Sequence, residues 1–104
     1  MVQARENLTA ITGTVVAAGP HPELDGWDLV ELELTAKEPV EDYPDLLDAQ
    51  VGDTVRVGVR HVLLGDEVHP DDVLRCRVRV GRGSVLAENE PDAADFQLTH
   101  PHPD

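Results

Sequence analysis

A chain of 104 residues supports one domain with one modest hydrophobic core. Its formal net charge of −13 and pI near 4.5 argue against general binding to nucleic acid or anionic membrane, because attraction to phosphate needs positive charge. No apolar run reaches the roughly 18 residues that a membrane-spanning helix requires.

The N-terminal residues, Met1 to Asn7, lack the basic-then-apolar pattern of a secretion signal. Asn7-Leu8-Thr9, which matches a glycosylation acceptor, is therefore read as chance. Leu8 to Ala18 reads as a first strand, rich in Thr, Ile and Val, with a bulge or bend at Gly13. Gly19 to Gly26 is a loop dense in breakers that ends in an Asp-Gly turn. Trp27 to Ala36 is the second strand, with Val30, Leu32 and Leu34 facing inward and Glu31 and Glu33 outward. Lys37 to Gly52 is irregular. A helical turn is expected around Asp42 to Gln50, with Leu46, Leu47 and Val51 as a lid on the core.

Asp53 to His61 is the third strand, in which Val55, Val57 and Val59 alternate with Arg56, Gly58 and Arg60. Val62 to Leu64 extend it or close one end of the core, and His69-Pro70-Asp71-Asp72 is turn chemistry. Val73 to Val80 is the fourth strand, where Leu74, Cys76, Val78 and Val80 alternate with Arg75, Arg77 and Arg79. A turn through Gly81-Arg82-Gly83 leads to a fifth strand, Ser84 to Glu88. Asp92 to Asp95 reads as a helical turn and Phe96 to Leu98 as a last short strand. Residues 1–7 and 99–104 read as flexible tails of a single barrel domain.

These elements describe an all-β fold: a small antiparallel Greek-key barrel of five or six strands with at most one or two short helical turns. The order resembles an OB-type barrel, with a glycine-bearing first strand (ITGTVV), an acidic turn entering a central strand (VGDTVRVGV) and a closing hairpin. The resemblance covers roughly residues 8 to 88. It departs from that arrangement in one respect: an OB barrel carries its helix between the third and fourth strands, whereas the mid-chain helical segment expected here precedes the third.

Six of the eight Lys and Arg residues fall between Arg56 and Arg82. If the third and fourth strands are neighbours, Arg56, Arg60, Arg75, Arg77 and Arg79 line one patch, and guanidinium groups bind carboxylate or phosphate in planar, bidentate fashion. The alternative is that they pair across strands with Glu31, Glu33 and nearby aspartates. The function expected is a non-enzymatic, cytoplasmic binding or accessory module that contacts a protein partner or a second copy of itself through this face. A second reading is a single-strand nucleic-acid binder using the arginines with Trp27, disfavoured by the charge and by few stacking aromatics. A third is a metal or small-molecule site built on His61, His69 and Asp71 or Asp72; His100-Pro101-His102 is a further weak metal pair. No sequence motif requires a cofactor, and the paired acids Asp71-Asp72 and Glu41-Asp42 lie in polar loops. The lone Cys76 excludes an internal disulfide, fits a reducing cytoplasm and points into the core, away from its arginine neighbours.

Overall fold

The computed structural model describes residues 6–101. The elements are β1 (Thr9–Pro20), β2 (Trp27–Pro39), β3 (Thr54–Arg60), a short helix α1 (His61–Leu64), β4 (Val73–Gly81), β5 (Ser84–Ala87), a 3₁₀ turn (Ala93–Asp95) and β6 (Gln97–Thr99). Strands β1-β2-β3-β5-β4 form a closed barrel, sealed by β4 pairing back onto β1, while β6 extends one end of β4. The barrel is all-β and OB-like, as the sequence predicts. One pairing is not antiparallel: β3 and β5 run parallel where Gly58 meets Leu86. The reason is parity, since a ring of five strands cannot alternate direction all the way round.

Alternating apolar residues fill the interior. Ile11 and Val15 of β1, Val30, Leu32 and Leu34 of β2, Val57 and Val59 of β3, and Leu74, Cys76 and Val78 of β4 are all buried. Leu64 of α1 plugs one end. Gly13 lies where β1 bends to pair with β2 on one side and β4 on the other, next to a register shift.

Residues 42–50 are irregular rather than helical. Side chains claim the backbone groups that a helix would use. The Lys37 ammonium donates to the carbonyls of Leu47 and Ala49, while the Asp45 carboxylate accepts the Leu47 amide and the Thr9 hydroxyl. Of the expected lid, Leu47 is buried, whereas Leu46 and Val51 are exposed. The helix falls instead between β3 and β4, the position an OB-type barrel gives it, and removes the departure noted above.

The ordered chain extends past the bounds set for the tails. Asn7 is buried and exchanges two hydrogen bonds with the Val80 backbone. Thr99 belongs to β6, and His100 hydrogen-bonds to Asp72. Residues 1–5 and 102–104 of the expected tails, His102 among them, lie outside the described residues. Among the described residues no helix is long and apolar enough to cross a membrane.

Candidate functional site

Register assembles a face that no single strand carries. On β2 the odd residues point outward, and Trp27, Leu29 and Glu31 lie opposite Arg60, Gly58 and Arg56 of β3. Across β3, Gly58 meets Leu86 of β5, and across β5, Leu86 meets Arg79 of β4. One outward row therefore reads Leu29, Gly58, Leu86, Arg79, with Trp27 and Arg60 in the next.

The absent side chain of Gly58 shapes this row. Leu86 Cδ2 lies 2.6 Å from where a Cβ on Gly58 would stand, and the His21 ring is 3.4 Å from the same point. His21 is held by accepting the amides of Glu23 and Leu24 at Nδ1, each at 3.1 Å. Beside it, Trp27, Arg79, Leu86, Ala87 and Asn89 line a cleft of about 170 Å³. Arg60 is tied to this rim by donating from Nη1 to the Asn89 carbonyl at 2.8 Å. Arg79 also borders a second cavity of about 240 Å³, whose walls include Asn7, Tyr43 and Glu88. Its guanidinium makes no hydrogen bond or ion pair among the described residues, so its charge is available to a ligand.

The single five-arginine patch does not form, because β5 lies between β3 and β4. The fold sorts the expected binding residues into two groups. Trp27, Arg60 and Arg79 gather around Leu86. The other three arginines turn to the protein's own acceptors. Arg77 donates from Nε and Nη2 to the two carboxylate oxygens of Glu88, at 2.7 and 2.8 Å, with Asp95 3.5 Å away. Arg75 donates from Nη1 to the Ala94 carbonyl at 3.0 Å. Arg56 stands 3.9 Å from Glu31 but is largely exposed, a surface pair of little energetic consequence. Leu86 and Asn89 were not legible as site residues, since only the parallel β3–β5 contact gives them a role.

His61 and His69 do not converge, and they line different cavities. Both ring nitrogens of His61 lie 2.7 Å from carboxylates, Nδ1 at Asp28 and Nε2 at Asp66. Two carboxylates can both be satisfied only by an imidazolium, and the hydrogen bond to Asp28, then that to Asp66, raises the His61 pKa above 6.5. The raised value means that the folded state holds this proton more tightly. Its contribution to stability is therefore complete below about pH 6.5 and is lost as pH rises through the folded-state value. The expected result is that the His61 midpoint, read by NMR titration, falls in an Asp28→Asn variant and falls less in Asp66→Asn. An unchanged midpoint in both would deny the carboxylate clamp.

At the same end of the barrel, Asp72 is buried beneath His69 and His100. Its Oδ2 accepts the His69 amide at 2.8 Å and Nδ1 of His100 at 2.9 Å, while Oδ1 has no partner. Burial alone would raise this carboxyl, but those hydrogen bonds outweigh it and hold the pKa below the usual range. The sequence reading placed Asp72 in a solvated loop. Its burial follows from the backbone, because Val15 donates to the Asp72 carbonyl at 2.7 Å and draws the turn onto β1. Among the described residues no group of three or more His, Cys, Asp or Glu is arranged to hold a metal ion. Cys76 is buried, and burial pushes its thiol up to about 12, which leaves it inert.

No protein-family model matches this chain, and no curated protein and no solved structure is similar enough to it to indicate a family or a function.

Proposed function

We propose that this barrel is a non-enzymatic binding module that engages an acidic protein surface through the cleft framed by Trp27, Arg60, Leu86 and Arg79, in a cytoplasmic setting. The observation that carries this reading is the unpaired Arg79 guanidinium beside an outward apolar groove, in a protein where Arg77 and Arg75 are committed to internal acceptors. An aromatic and an aliphatic side chain between two arginines is a fitting composition for a contact hot spot, because apolar walls strengthen the charged contacts they surround. The acceptor is a carboxylate-bearing surface, on another protein or on a second copy of this one. The lone cysteine, buried and inert, suits a reducing compartment.

Single-stranded nucleic acid is a second reading, favoured by one feature: Trp27 and Tyr43 line the two cavities that Arg79 borders. Glu6 and Glu88 in the second cavity oppose phosphate there.

The test is NMR of the labelled protein with a decaglutamate peptide and, separately, a ten-residue oligo-dT, at low and high salt, alongside light scattering over a concentration series. The expected result is a salt-sensitive shift of the Trp27 indole and of the Gly58 and Leu86 amides with the peptide, abolished in Arg79→Glu. A response to oligo-dT alone transfers the face to the second reading. No response to either probe, with a monomeric mass at every concentration, overturns the proposal.

A further inference from the structure

A second surface lies where the β1–β2 hairpin runs beyond its neighbours. β1 has twelve residues, but β4 pairs with it only from Thr9 to Thr14. The last bonds to its outer edge are at Val15, which donates to the Asp72 carbonyl and accepts the Asp71 amide. Val16 is bulged out of the β2 register, Ala17 to Pro20 pair with β2 on one side, and no described residue hydrogen-bonds to the other edge from Val16 to Pro20.

This edge lacks protection by charge. Open strand edges in soluble proteins carry charged side chains, whereas Val16-Ala17-Ala18-Gly19-Pro20 carries none. Only a register shift between Val15 and Ala17 and the terminal proline interrupt it. Val16 is 49% exposed, and Ala17 and Ala18 are exposed with it.

A cleft lies on each face of the edge. Toward the barrel side, Asp28, Leu64, Asp66 and Val68 help to line one of about 240 Å³ beside Ala18 and Pro20. On the outer side, Leu29 and Glu31 wall another of about 160 Å³ beside the same residues. Side chains of an added strand alternate between the two faces of a sheet, so consecutive residues would enter the two clefts in turn. The first cleft carries two carboxylates, Asp28 and Asp66, and the second is mainly apolar with one, Glu31, so the basic residues of an added strand would enter the first and its apolar residues the second. Among the described residues His61 is the one basic side chain lining the first, and it is already clamped between Asp28 and Asp66. No basic residue lines the second among the described residues, and Arg56 stands 3.9 Å from its Glu31.

We propose that the outer edge of β1 from Val16 to Pro20 is a strand-addition site for an extended peptide of another protein in which lysine or arginine alternates with small apolar residues. A second copy of this chain is the poorer occupant, since pairing like edges would bring the same carboxylates together on a chain of net charge −13. The site adjoins the arginine-framed face at Leu29 but selects the opposite charge.

The probe is a fluorescein-labelled Lys-Val-Lys-Val-Lys-Val-Lys peptide, followed by anisotropy and by amide hydrogen exchange of the wild-type protein. The expected result is saturable binding with exchange of the outward-facing amides among residues 16–19 slowed about tenfold or more on saturation. An analogue with every backbone nitrogen methylated keeps its charge but cannot pair, and it should bind about tenfold more weakly or worse. Glu-for-Lys replacement in the peptide, and Val16→Lys in the protein, should each weaken binding by a similar factor. Val16 faces no β2 partner, so the barrel should tolerate its change. The proposal is overturned if the methylated or the Glu peptide binds within twofold of the original, or if no binding is seen. Unchanged exchange at residues 16–19 in the bound state would also overturn it. Should Val16→Lys not fold, the methylated peptide on wild-type protein gives the decision alone.

Discussion

Gly13→Ala should destabilise the protein by about 2–3 kcal/mol, the upper half of the range for overpacking a core. In a domain of this size that lowers the melting temperature by roughly 10 °C or more. Gly13 has no positive φ, so its backbone would accept an ordinary residue. The obstacle is space. A Cβ there would lie 2.9 Å from Leu32 Cβ and 3.0 Å from the Glu33 carbonyl oxygen, both fixed by the β1–β2 ladder. Neither can retreat without opening the bend that lets β1 serve two neighbours.

Gly58→Ala provides the control. Its nearest obstacle is the Cδ2 tip of Leu86, a flexible and half-buried side chain, so the stability cost should stay near 1 kcal/mol or below. That variant should instead displace Leu86 and the His21 ring on the candidate face. Thermal melts of the two variants separate the possibilities. If Gly13→Ala melts with the wild type, the close β1–β2 approach is not a constraint on this fold.

The strands were legible because side-chain alternation is local. The run of Leu74, Cys76 and Val78 between Arg75, Arg77 and Arg79 states which side of β4 is inside before any neighbour is known. What alternation cannot state is which strand lies beside which. β5 enters between β3 and β4 through a single parallel contact, and that contact decides whether the arginines form one patch or two groups. The same holds for Asp72. Its burial comes from a hydrogen bond to Val15, 57 positions away, while its neighbours in sequence are turn formers that read as solvated. The irregular 42–50 segment was obscured for a related reason. Pro44 and the acids around it suit a helix start, but Lys37, from β2, holds two of its carbonyls. The candidate face was thus half legible: Trp27, Arg60 and Arg79 were visible as residue types, and Leu86 and Asn89 only as geometry.

Within the arginine set, Arg77→Gln should cost about 2 kcal/mol of stability, while Arg79→Gln should change it by no more than about 0.5 kcal/mol. Both residues point outward from β4, two positions apart, so local sequence gives no reason to distinguish them. Their surroundings do. The Arg77 side chain is 25% exposed and its partner Glu88 17%, and the pair is bidentate with Asp95 alongside. Removing the guanidinium leaves two partly buried carboxylates facing one another, and the penalty is largely that of stranding them. Replacing Glu88 with Gln in the same chain should therefore recover part of the loss, with a coupling of about 1–2 kcal/mol in the double-mutant cycle. Arg79 has no such partner to strand, and its loss should be felt only when a ligand is present. Urea titration of the four variants reads the stability arm, and peptide binding reads the other. If Arg77→Gln is as stable as the wild type, its contact with Glu88 is incidental and the residue returns to the candidate binding set. If Arg79→Gln is the one that unfolds, its charge serves the fold and the proposed cleft loses its principal anchor.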